Sequence, residues 1–88
     1  MMNVETVEHR LKRLKMRSMR RGIKEMDLIF MRFAEARLAA MSAAELDGYE
    51  ALLDENDQDL YQWVSGQVEA PEPHKELVAE ISALVYSS

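Results

Sequence analysis

Apolar residues recur at spacings of three and four from one end of the chain to the other, and that period admits one class of fold. Val4, Val7, Leu11 and Leu14 form a first stripe, Ile23, Met26, Phe30 and Phe33 a second, and Leu77, Val78, Ile81, Leu84 and Val85 a last. This spacing lines one face of an α-helix, whereas a half-buried strand needs alternation, and no alternating stretch is present. There is also no internal repeat and no low-complexity block. The expectation is an all-α fold, a compact five-helix bundle forming one domain over residues 1–88. A chain of 88 residues buries only about 60–65% of its unfolded surface, so it folds alone with little core to spare.

Capping residues divide the stripes. The first helix is expected over residues 4–20, narrow in its apolar face and basic elsewhere. Gly22 follows Arg20 and Arg21, which suit a helix C-terminus, and glycine supplies the left-handed conformation common just past such an end. Glu25 and Asp27 then fall in the first turn of a second helix, residues 23–40, with Leu28, Ile29, Met31, Ala34 and Ala36 flanking its stripe. Apolar over more than half its circumference, this helix is expected to be the most buried. Ser42 and Glu45 make an S-x-x-E capping box that opens a third helix, with Leu46, Tyr49, Leu52 and Leu53 inward. Asn56 or Asp57 caps a short fourth helix carrying Leu60, Trp63 and Val64, which Gly66 ends. The connector QVEAPEPHK follows, and Pro73 suits the first turn of a fifth helix.

The net charge of −5 conceals a division. Residues 1–24 hold eight Lys or Arg against Glu5 and Glu8, a net of +6, and residues 25–88 hold three against fourteen acids, a net of −11. Such a bipolar field steers a partner of complementary charge, while the acidic majority opposes nucleic acid. There is no cysteine, so disulfides, cysteine-ligated zinc and thiol catalysis are excluded. No apolar run reaches the roughly 18 residues of a membrane span, and neither a signal peptide nor a transit peptide is recognised. The reading is therefore a bacterial cytoplasmic protein without membrane insertion.

Little catalytic chemistry is on offer. His9 and His74 share no metal-ligand spacing and read as solvent-exposed histidines. Three glycines cannot make a phosphate-cradling loop. Asp54, Glu55, Asp57 and Asp59 lack the pattern of a calcium loop and read as caps and solvated surface. Tyr61 and Trp63 could stack on a flavin or a base, but Trp63 shares the Leu60 and Val64 stripe and is better placed in the core. Met16, Met19 and Met26 suit either an adaptable contact surface or core filling. The densest cluster is Arg20, Arg21, Gly22 and Glu25. Helix ends and a modest Arg21–Glu25 ion pair account for its residue types, less well for their concentration.

The run R-G-x-x-E at Arg21, Gly22 and Glu25, followed by an apolar helix and then by LLDENDQDLYQW at residues 52–63, resembles the SdhE family of FAD assembly factors. That family comprises bacterial SdhE proteins, also called YgfY, and the mitochondrial succinate dehydrogenase assembly factor 2. The resemblance spans roughly residues 8–66. Gln58 departs from it, since many relatives have proline between the two aspartates. The resemblance implies a small helical protein that binds the flavoprotein subunit of succinate dehydrogenase, and often of fumarate reductase, and promotes covalent attachment of FAD to a client histidine. It implies a client-binding surface at Arg21, Gly22 and Glu25, to which Arg20 and Asp57 are added as expected partner-binding residues; no catalytic or metal-binding residue is expected, and with no dinucleotide fold in the sequence FAD is expected to be carried by the client. A monomer is expected. The alternative is a generic interaction module of antitoxin type with a different partner; an enzyme and a nucleic-acid binder are less favoured.

Overall fold

A computed structural model describes residues 5–86. It contains α1 (Val7–Ser18), α2 (Lys24–Arg37), a 3₁₀ turn (Leu38–Ala40), α3 (Ala43–Leu53), α4 (Asp57–Val64) and α5 (Lys75–Tyr86), with no strand among the described residues. The five helices enclose one core, with Leu14 from α1, Met26, Phe30 and Phe33 from α2, Leu46, Tyr49 and Leu52 from α3, Leu60 and Val64 from α4, and Ile81 from α5. The second helix packs against α1, α4 and α5, as its broad apolar face requires. At the centre, the Tyr49 ring stacks on Phe33 with centroids 5.5 Å apart and meets Phe30 edge-on at 5.9 Å.

One polar pair is buried beside these rings. The Ser18 hydroxyl donates to the Leu14 carbonyl at 2.8 Å and accepts from the Tyr49 hydroxyl at 2.6 Å, so both groups are satisfied away from water. Burial pushes the Tyr49 phenol up to about 12.

Several caps form as expected. Ser42 and Glu45 complete their capping box, Asn56 accepts from Gln58 N–H at the start of α4, and Gly66 takes the left-handed conformation after α4, with φ 84°. Other expectations are corrected. The first helix begins at Val7 and ends at Ser18, not at residue 20; Val4 lies outside the described residues. Val7 of the proposed stripe is exposed, because the inward face of α1 runs through Leu11, Leu14 and Ser18. Leu28 is likewise exposed, on the side of α2 away from Met26 and Phe30. The second helix ends at Arg37 and tightens into the 3₁₀ turn, closed by Met41 N–H donating to Leu38 O at 3.2 Å. Pro73 sits in the turn ahead of α5, two residues before the helix begins. His74 is buried at 7% exposure, its ring stacked on Trp63 and its Nε2 3.1 Å from Glu55 Oε2.

Candidate functional site

A row of four ion pairs joins α1 and its following connector to α3 and the start of α4. Arg10 meets Asp47 at 2.5 Å, Arg13 meets Glu50 at 2.8 Å, Arg17 meets Asp54 at 2.7 Å and Arg21 meets Asp57 at 2.6 Å. The sequence separations are 37, 37, 37 and 36 residues, so α1 and α3 run in the same direction in constant register, as the first and third helices of an up-down-up arrangement. Arg13 also receives Glu5, and together these carboxylates raise its pKa. Arg13 first and Arg10 second hold Glu50 below the usual carboxylate range. Half of the eight basic residues that make the N-terminal segment positive are thus engaged within the chain.

The last pair in the row shapes the corner at Gly22. The Arg21 side chain is 10% exposed and that of Asp57 19%, against 35% and 69% for Arg17 and Asp54 one step earlier. The Arg21 guanidinium donates from Nε to Asp57 Oδ1 at 2.7 Å, to the Leu53 carbonyl at 2.6 Å and to the Glu55 carbonyl at 3.0 Å. Leu53 ends α3, so the cation satisfies carbonyls that the helix leaves open and sits at the negative end of its dipole. The same guanidinium lies 5.5 Å from the Phe30 ring centroid.

Asp57, the first residue of α4, uses its second oxygen to accept from Gly22 N–H at 2.6 Å. Asp27 of α2 accepts from Arg21 N–H. The connector is therefore held by side chains reaching its backbone, and Gly22 is not left-handed. The expectation of a left-handed glycine cap is overturned for that reason. Space is what glycine supplies here: a Cβ at this position would stand 3.1 Å from Asp57 Oδ2.

Of the five expected partner-binding residues, the structure brings Arg21, Gly22 and Asp57 into one hydrogen-bonded unit. Arg20 and Glu25 are exposed beside it and form no ion pair among the described residues. Arg21 pairs with Asp57, not with Glu25. The near-constant Arg-to-acid offset is a signal that the sequence carries; Arg10, Arg13, Arg17 and Arg21 match Asp47, Glu50, Asp54 and Asp57 in helical spacing. Glu55 links the corner to the far connector, since its carboxylate meets His74 while its carbonyl accepts from Arg21. No group of three or more His, Cys, Asp or Glu among the described residues is arranged to hold a metal ion.

The profile of the family described as flavinator of succinate dehydrogenase matches residues 12–85. The chain belongs to this family. It is 44% identical over 71 residues to the succinate dehydrogenase assembly factor 2, mitochondrial, of Schizosaccharomyces pombe, an alignment covering 81% of this chain and 51% of that protein. The protein of the same name from Scheffersomyces stipitis is 48% identical over 61 residues, 69% of this chain and 41% of the relative. That from Lodderomyces elongisporus is 46% identical over 61 residues, 69% of this chain and 37% of the relative. The chain thus spans about half or less of the length of these flavinator-family relatives. The expectation of a bacterial cytoplasmic protein is overturned, because these relatives are fungal and carry "mitochondrial" in their names.

Proposed function

We propose that the chain is a non-catalytic assembly factor that, as a monomer, binds the flavoprotein subunit of succinate dehydrogenase and promotes covalent attachment of FAD to it. The observation that carries this reading, beside the family match, is the corner itself. Arg21 and Asp57 are spent on holding the backbone of residues 21 and 22, and this leaves Gly22, Arg20 and Glu25 on the surface around a rigid, sterically bare point. A bare backbone flanked by charges of both signs suits close approach of a partner, with charged hydrogen bonds fixing the register.

FAD is placed in the client. Every helix carries a carboxylate in its first turn, Glu8, Glu25, Glu45, Asp57 and Glu76 among them, so no helix N-terminus offers an open site for a pyrophosphate. What the chain contributes is binding energy for one conformation of the client, the one in which cofactor and acceptor side chain are aligned.

The test is covalent flavin on the succinate dehydrogenase flavoprotein, read as in-gel fluorescence after denaturation, with this chain present, absent, or carrying Gly22→Arg. Fluorescence should depend on the wild-type chain and should not be restored by the variant. Equal fluorescence in all three samples would refute the proposal.

A further inference from the structure

The row of ion pairs leaves α1 with a second cationic face that the corner does not use. A groove of about 630 Å³ runs along α1 from His9 past Lys12 and Met16 to Arg20 and Arg21, where it reaches the Gly22 corner. Its lining side chains are basic except for one thioether, and none is acidic. Arg13, Arg17 and Arg21 form its far wall and are already paired toward α3 and α4. Lys12 and Arg20 make no ion pair among the described residues, so their charge is uncompensated although the chain as a whole carries −5. Met16, at 47% exposure, stands between them.

We infer that this groove is a docking surface for an acidic stretch of a protein partner, a segment with clustered carboxylates and an apolar side chain among them. The inference rests on the function proposed above and extends the contact of the same client from the corner along α1. Charge complementarity fixes the sign of the occupant. A polypeptide is favoured over nucleic acid on two grounds. A duplex presents phosphates over a broad face and would meet Glu5, Glu50 and Asp54, the carboxylates paired to the far wall, whereas a single peptide segment carries its charge at chosen side chains and can keep to Lys12 and Arg20. A flexible thioether in the middle of the face suits apolar side chains, which a phosphodiester backbone does not present.

The experiment measures binding of the full chain to the purified succinate dehydrogenase flavoprotein subunit by microscale thermophoresis at low and physiological salt. Wild type is compared with Lys12→Glu combined with Met16→Glu, and with Gly22→Arg. Lys12 and Met16 are exposed and lie outside the corner, so circular dichroism should show unchanged helicity. The milder pair Lys12→Gln and Met16→Gln should change affinity in the same direction. The proposal expects the double glutamate variant to bind at least tenfold more weakly and with a shallower salt dependence. Wild-type affinity in that variant, with binding lost in Gly22→Arg, overturns the groove and leaves the assembly role intact. No binding by wild type overturns both. Salt-resistant retention of a DNA or RNA oligonucleotide that the double variant abolishes would assign the groove to phosphate and overturn it as a protein site.

Discussion

Replacing Asp57 by alanine should cost more stability than removing any other carboxylate of the ion-pair row. Its carboxylate is 19% exposed and faces an Arg21 side chain that is 10% exposed. Pairs on open surface are worth about 0–1 kcal/mol, whereas removing one member of a buried pair costs about 3–5 kcal/mol. Arg21 lies toward the buried limit, but after the substitution it keeps the Leu53 and Glu55 carbonyls as acceptors, so about 2 kcal/mol is appropriate. Loss of the acceptor for Gly22 N–H adds about 0.5 kcal/mol, since water reaches that exposed backbone. Removing an acid from the first turn of α4 adds about 0.5 kcal/mol more. The total is about 3 kcal/mol, which for a chain of this size lowers Tm by on the order of 10–25 °C.

Urea unfolding measures this directly, with Trp63, the one tryptophan, reporting near the corner and circular dichroism at 222 nm reporting globally. Both probes should shift to a lower midpoint with an unchanged slope. A companion cycle with Arg21→Ala should give a coupling of about 1–2 kcal/mol. A loss below about 0.5 kcal/mol, or a coupling indistinguishable from zero, would show that the corner is held by something else. Client affinity is the second readout. Both oxygens of Asp57 are taken up within the chain, so its removal should weaken binding by releasing residues 21 and 22.

Three further outcomes are expected. Gly22→Ala should change stability by no more than about 1 kcal/mol, because the gain from a less flexible unfolded chain offsets displacement of the Asp57 carboxylate by a few tenths of an ångström; a loss above about 2 kcal/mol in chemical denaturation would contradict that balance. Ser18→Ala should destabilise by about 1–3 kcal/mol by orphaning the buried Tyr49 hydroxyl, and adding Tyr49→Phe should recover part of the loss; additive losses would argue against the shared hydrogen bond. Tyr49 binds its proton more tightly folded, near 12, than unfolded, near 10, so its contribution is complete below pH 10 and is lost as pH rises toward 12, by roughly 3 kcal/mol in all. Alkaline denaturation of wild type and Tyr49→Phe should therefore diverge above pH 10, and parallel curves would refute the assignment.

Periodicity was enough for the number and order of the helices, but not for their ends or for the inward face of α1, where Val7 of the expected stripe is exposed. Ser42 with Glu45, Asn56 and Gly66 were legible because their partners lie within four residues. The site was harder. Arg21 looked like a dipole cap with Glu25 in reach, yet its partners are Leu53, Glu55 and Asp57, more than thirty residues away. His74 looked exposed because nothing adjacent in sequence covers it; Trp63 and Glu55 do so across the α4–α5 connector. Local patterns report local bonds, and each of these misjudged residues is satisfied by a distant element. The exception is the arginine row, where a repeat of matching spacing in two helices carried tertiary information.

That row changes the meaning of the charge division along the chain. The excess of +6 in the first 24 residues suggests a uniformly basic helix, but Arg10, Arg13, Arg17 and Arg21 fall on one side of it and are neutralised by α3 and α4. In the groove that adjoins this side, the cations without an ion pair among the described residues are Lys12 and Arg20, beside a glycine that is bare because its own chain's Asp57 approaches it. Any side chain at position 22 must therefore disturb the carboxylate that holds Arg21, whatever it does to a partner. A binding defect in a Gly22 variant consequently has two sources within the same few ångströms. Asp57→Ala isolates the first, release of the connector with no added bulk. The loss that Gly22→Arg adds beyond Asp57→Ala is the second, bulk against the partner, and Lys12 and Met16, outside the corner, report contact along α1 with the connector left in place.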